Sequence, residues 1–274
     1  MLRSTAGFLA VTTLKILAIL PPGIIVALGT PLLPIYALFR VQTRRRLKQM
    51  QVWVPHSPTP LTYYRTRLKL AALSLRHLKG KLDDMPIQVE GEELYDAALA
   101  TGKPVVLLGW HQGPVELLHH LPYCDGRPFY IITAAGFARS LSRLLEKGRE
   151  RKGKQVVASE DVYHALRNLA RKSGVLAVMV DQVSGQPSGF FFLWNNAVQI
   201  PRIAELLTWL KNHEALFLAV TVRLEKKDSI LFRYQPVEPD EKSLGLLLEK
   251  SLEENPSQYN WSYPKIHINR SSVP

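Results

Sequence analysis

The sequence predicts an α/β fold, a mainly parallel sheet flanked by helices on both faces, with an N-terminal membrane-associated helical segment ahead of it. Three observations carry this expectation. After Pro86, apolar runs of strand length alternate with stretches of helical periodicity, the β-α-β-α order that a parallel sheet with crossover helices requires. Two of the runs, VVLLGW at 105–110 and VLAVMVD at 175–181, are apolar almost without interruption, as strands buried on both faces are. Before Arg40, Ile16 to Phe39 runs 24 residues without a charge.

That N-terminal run, as one helix, would be roughly 36 Å long and could cross a bilayer core. Pro21, Pro22, Pro31 and Pro34 interrupt it, so a kinked span and a shallow re-entrant hairpin both fit. A cleaved signal peptide is the competing reading, since Ala27-Leu28-Gly29 resembles a small-residue cleavage site. Against it, the apolar run continues past Gly29, and Arg40, Arg44, Arg45, Arg46 and Lys48 follow. By the positive-inside tendency, that cluster keeps the body of the chain in the cytoplasm. The expected division is therefore a membrane segment with its basic flank at 1–48 and a catalytic domain at 49–274.

Residues 49–60, QMQVWVPHSPTP, read as a proline-rich connecting loop. From Leu61 to Lys79, Leu61, Tyr64, Leu68, Ala71, Leu75 and Leu78 recur every three to four residues among five basic side chains, which predicts an amphipathic helix with a basic face. Strands are expected near 87–90, 105–110, 129–133, 155–158, 175–181, 215–223 and 229–235. Helices are expected near 92–101, 114–121, 137–150, 161–172, 201–212 and 240–254.

With 35 Lys and Arg against 23 Asp and Glu, the formal net charge is +12, which favours an anionic partner. That charge is the only feature pointing to nucleic acid, and no RNA- or DNA-binding motif accompanies it. Cys124 is the only cysteine, so an intramolecular disulfide and a multi-cysteine metal site are excluded.

The chemistry is expected in VVLLGWHQGPVELLHH, Val105 to His120. His111 falls at the carboxyl end of a buried strand, where open α/β sheets bind ligands. Gly113-Pro114 turns the chain into a helix with Gly113 as its cap, Pro114 at its first position and Glu116 at its third. The turn lets His111 and Glu116 face each other, and a histidine beside a carboxylate can take a proton from a hydroxyl near neutral pH. Locally, Glu116 is also a good residue for the positive end of a helix, with no catalytic meaning. Asp181 ends the second buried run and reaches the same sheet edge if the two strands are parallel; otherwise it caps a loop. Arg149 and Arg151 lie in a glycine-punctuated basic stretch, where a fixed guanidinium can face a phosphate or an oxyanion, or simply be solvated at a helix end. Glu116 with His120 could share a helix face as metal ligands, but no recognised zinc spacing is present.

Taken in order, these elements resemble the lipid A biosynthesis acyltransferase family, the late lauroyl- and myristoyl-transferases of the lysophospholipid-acyltransferase-like superfamily. The resemblance rests on the N-terminal segment with trailing arginines, H-x4-E at His111 to Glu116 and R-x-R at Arg149 to Arg151. Asp181-Gln182 and the C-terminal Asn255-Pro256-Ser257-Gln258-Tyr259-Asn260-Trp261 complete it. It implies transfer of a fatty acyl chain from an acyl carrier protein thioester to a hydroxyl of an anionic lipid A precursor, at the cytoplasmic face of the inner membrane. It further implies His111 as general base, Glu116 as its orienter, Arg149 with Arg151 facing an oxyanion or phosphate, and Asp181 organising the site. No metal, other cofactor or covalent acyl-enzyme is required. Two departures, Phe190-Phe191-Phe192-Leu193-Trp194 in place of an F-F-G-like element and Tyr263-Pro264-Lys265 in place of paired arginines, bear on acceptor and acyl-chain specificity. Acylation of a lysophospholipid or amino lipid, and a non-catalytic lipid-binding role, are the alternatives.

Overall fold

The computed structural model describes residues 19–54, 57–78, 85–120, 126–133, 150, 154–158, 162–181, 189–194, 196–200, 204–225 and 229–261. Its centre is a sheet built from β1 (Ile87–Glu90), β2 (Val105–Gly109), β3 (Phe129–Thr133), β4 (Lys154–Ala158), β5 (Val175–Met179), β8 (Leu216–Leu224) and β9 (Ile230–Pro236). The seven strands lie in the order β1-β9-β8-β2-β5-β3-β4. From β8 to β4 every neighbouring pair is parallel. β9 turns back antiparallel to β8 after a short connection, and β1 pairs parallel to β9. A short link can only return a strand antiparallel, whereas parallel pairs need a longer crossover connection. The sheet is thus mostly parallel, as expected.

Both faces are covered, and the strand period of two decides which residue serves which face. Val106, Leu108, Leu176 and Val178 point into one core, shared with α3 (Val41–Trp53), α4 (Pro60–Leu78), α6 (Val162–Lys172), α7 (Ala204–Asn212) and α8 (Glu241–Glu254). Val105, Leu107 and Val175 point into the other, against Tyr95 and Ala98 of α5 (Glu92–Ala100) and Leu117 and Leu118 of a 3-10 helix, Val115–His120. All five residues of β2 are buried. At about 1.5–3 kcal/mol per fully buried large apolar side chain, against about 0.5–1.5 kcal/mol net per hydrogen bond, burial of these strands sets where the following loops begin.

Three expectations are corrected, and one element was not anticipated. The connector expected as a loop over 49–60 is helical as far as Trp53 at the end of α3. On α4 the buried residues are Tyr63, Tyr64, Leu70, Ala72 and Leu73, while Leu61 and Ala71 are exposed. The helix is covered from two directions, by the sheet core and by the N-terminal helices, so a single stripe underestimates its contact surface. The helix expected at 114–121 is the 3-10 turn from Val115 to His120, with Glu116 its second residue. Gly113 has φ +67, a left-handed conformation rather than the extended one of an N-cap. Finally, β6 (Gly189–Leu193) and β7 (Asn196–Ile200) form an antiparallel hairpin that the sequence reading did not foresee. Residues 137–149 of the helix expected at 137–150, and Cys124, lie outside the described residues.

The N-terminal apolar run is divided at its prolines: α1 (Pro22–Gly29), a 3-10 turn (Thr30–Leu32) and α2 (Leu33–Phe39), each with a proline in its first two positions, where its missing N–H costs nothing. Together Pro22–Phe39 form a helical stretch of mean hydropathy 1.8, long and apolar enough to cross a membrane, and only 17% of it is buried. Ile25 and Leu33 are covered, whereas Leu28, Leu32, Ile35, Leu38 and Phe39 are exposed. Gly29 brings α1 against α4 so closely that a Cβ there would stand 2.5 Å from Leu68 Cδ2.

Candidate active site

β2 and β5 are parallel neighbours in the register Gly109↔Met179. Two residues further on, at the carboxyl edge of the sheet, stand His111 and Asp181. The Asp181 carboxylate takes both donors that His111 offers on this side: its backbone N–H reaches Oδ2 at 2.8 Å, and Nδ1 lies 2.8 Å from Oδ1. The side chains are 12% and 3% exposed. A carboxylate accepts only, so Nδ1 carries a proton here, and in the neutral imidazole Nε2 is then the basic nitrogen. This is the arrangement of a positioned general base.

The loop carrying His111 is held on several sides. Gly113 donates its N–H to Gln258 O at 3.0 Å, and His111 O accepts from Asn260 N–H at 2.8 Å, so Gln112 and Tyr259 form an isolated antiparallel bridge. A Cβ on Gly113 would stand 1.9 Å from Val222 O, which leaves glycine as the residue that fits. Gln112 is buried, its Nε2 donating to Ser251 O at 2.7 Å and Asn255 O at 3.0 Å. Its Oε1 accepts from Trp110 Nε1 at 3.1 Å and from the Ser251 hydroxyl. Buried polar groups so fully paired specify one arrangement, because each broken bond would strand a desolvated partner.

The N-P-x-Q-Y-x-W segment supplies the other side of this frame. Trp261 Nε1 donates to Pro256 O at 2.8 Å, and its ring meets that of Tyr259 edge-on at 4.8 Å. Arg46 of α3 reaches Trp261 O at 3.4 Å, and Arg67 of α4 reaches Gln258 O at 3.3 Å. Burial lowers the Arg46 guanidinium from its ordinary value, with Tyr259 and Tyr63 acting in the opposite sense. Two of the basic residues ahead of the sheet are thus tied to the segment that braces the His111 loop.

The structure therefore brings His111 and Asp181 together and places Glu116, half-buried, in the 3-10 turn that follows the His111 loop, five residues after His111. Arg149, Arg151, and the side chains of His119 and His120 lie outside the described residues. Among the described residues, no group of three or more His, Cys, Asp and Glu is placed to hold a metal ion. Gln112 and Ser251 were missed by sequence reasoning, while Gly113 was read only as part of a turn and Gln258 only as one residue of the C-terminal motif.

A histidine backed by a buried carboxylate stands at the carboxyl edge of a mostly parallel sheet on an α/β scaffold, an arrangement that can serve as a general base. Residues 63–266 match the family model of the bacterial lipid A biosynthesis acyltransferases, and the chain belongs to that family. The family indicates acyltransferase activity of the lipid A type. With the exposed apolar stretch at Pro22–Phe39, it also hints at association with a membrane. No curated protein matches the chain at a significant level.

Proposed function

We propose that the protein moves a fatty acyl chain from an acyl carrier protein thioester to a hydroxyl of a lipid A precursor, with His111 as general base. The observation that carries this reading is the pairing of His111 Nδ1 with Asp181 at 2.8 Å, which reserves Nε2 for the acceptor hydroxyl. Nε2 takes the hydroxyl proton as the oxygen attacks the thioester carbonyl. Collapse of the tetrahedral intermediate expels the thiolate, which recovers the proton. In this reading Asp181 holds the tautomer. Glu116 adds a second negative charge in the following turn that favours the imidazolium formed in the reaction, and Arg149, with Arg151 behind it, faces the oxyanion or a lipid phosphate.

The site is proposed to work at the cytoplasmic face of the inner membrane, supported by the exposed apolar face of α1 and α2 and the arginines that follow. Apolar insertion would anchor the chain, and the basic helices would draw it to anionic lipid and to an acidic carrier protein.

The test compares envelope lipids by mass spectrometry from cells carrying the wild-type chain or His111→Ala. Loss of one acyl chain from a lipid A species in the mutant is the expected result. A chain missing instead from a phospholipid or an amino lipid reassigns the acceptor, and unchanged lipids refute the catalytic reading. Glu116→Gln should lower transfer roughly 100-fold or more, from the lower end of the range for a positioned acid-base group upward. Full activity in that variant removes Glu116 from the site and leaves His111 with Asp181.

A further inference from the structure

Asp181 fixes the His111 imidazole at Nδ1, but the direction of Nε2 also depends on the backbone from His111 to Gly113. That backbone is gripped from one side by a single segment. Gln258 O accepts from Gly113 N–H at 3.0 Å, and two residues on, Asn260 N–H donates to His111 O at 2.8 Å. Gln258 is itself anchored. Its buried side-chain amide reads both backbone groups of Leu224, the last residue of β8, accepting from N–H at 2.9 Å and donating to the carbonyl at 2.7 Å. The amide stands in for a peptide group and extends the sheet's hydrogen bonding by one unit. Its backbone carbonyl, meanwhile, also accepts from Arg67 at 3.3 Å. The opposite side of the loop rests on Val222 of the same strand, at the contact that leaves Gly113 no room for a Cβ. β8 therefore holds the His111 loop twice, directly at Val222 and through Gln258 from Leu224.

We propose that Gln258 is a positioning residue for the general base: its amide, docked on Leu224, places the carbonyl that holds Gly113 and so sets the direction of His111 Nε2. The proposal rests on His111 being the base. A residue that merely ties down the C-terminal segment would affect stability while leaving turnover per folded molecule intact.

The test uses the full-length chain in vesicles of anionic phospholipid. Gln258→Glu keeps the shape and the acceptor for Leu224 N–H but turns an oxygen toward Leu224 O. Arg67→Met removes one donor to the Gln258 carbonyl while keeping an apolar stem, and supplies the answer should the glutamate variant fail to fold. The expected result is a kcat at least tenfold lower for Gln258→Glu and about threefold lower for Arg67→Met, with KM for the acyl donor within twofold. In the substrate-free chain labelled with 15N-histidine, the His111 Nδ1 proton should shift or broaden in whichever variant loses turnover. A kcat within twofold in every variant that folds, a loss confined to KM, or an unmoved His111 proton beside a lowered kcat would each overturn the proposal. Because the proton is read without substrate, a resonance that moves in a chain lacking acyl transfer leaves the positioning role standing and counts against the proposed reaction alone.

Discussion

Replacing Gly113 by alanine puts the frame around His111 under a defined load. The new Cβ would stand 1.9 Å from Val222 O, 2.9 Å from Val222 C and 3.3 Å from Arg223 Cα. All three are backbone atoms of β8, which cannot rotate aside as a side chain could. Relieving the oxygen contact to an ordinary separation of about 3.4 Å moves the loop and strand apart by about 1.5 Å. The left-handed φ of +67 at this residue costs an L-residue a further ~1–2 kcal/mol, and overpacking costs about 1–3 kcal/mol. The expected destabilisation is therefore about 2–5 kcal/mol, a large share of the ~5–15 kcal/mol that holds a typical domain. The displacement also lengthens the 3.0 Å bond from Gly113 N–H to Gln258 O and shifts His111 relative to the hydroxyl it serves in the proposed reaction. A misplacement of about 1 Å costs roughly 100-fold in rate. Denaturant unfolding of the detergent-solubilised protein, followed by tryptophan fluorescence, measures the first effect. Acyl transfer per folded molecule measures the second. A Gly113→Ala protein within threefold of wild-type turnover and less than about 1 kcal/mol less stable would show that the loop yields cheaply and that β8 does not brace it.

Two further outcomes follow from the same geometry. Asp181→Asn keeps the shape but leaves one acceptor oxygen for the two His111 donors, each now at 2.8 Å; either the backbone bond is lost or the ring changes tautomer and protonates Nε2. Turnover should fall at least ~100-fold for a stability loss of about 1–3 kcal/mol, and a rate within threefold of wild type would remove Asp181 from the machinery. Asp240 caps α8 by accepting from Ser243 N–H and Oγ, each at 2.8 Å, and these bonds, the backbone one foremost, lower its carboxyl pKa. A lowered folded-state value makes the charged form stabilising above the unfolded pKa of ~3.9, and that contribution fades as pH falls through the folded value. Asp240→Ala should therefore cost about 1 kcal/mol at neutral pH, with the gap to wild type narrowing below pH ~4; a gap that stays constant or widens on acidification contradicts the cap assignment.

The strands of the seven-stranded sheet, their order along the chain and the polar residues at their ends were legible locally, because burial on both faces writes a continuous apolar run in strands such as β2 and a strand's side chains alternate by geometry alone. His111 and Asp181 were visible for that reason, as two polar ends of two such runs. Their pairing was not, for they lie 70 residues apart and meet only because the sheet order sets β2 beside β5 in parallel register. The left-handed form of the turn at Gly113 and the buried face of α4 escaped for a related reason. Each answers to atoms contributed from elsewhere: Val222 O and Gln258 O to the turn, the N-terminal helices to α4. Local pattern determined the elements and the residues exposed at their ends. Which end group would become the partner of which was decided by tertiary packing, since a hydrogen bond or a steric limit between distant residues has no period for a sequence to carry.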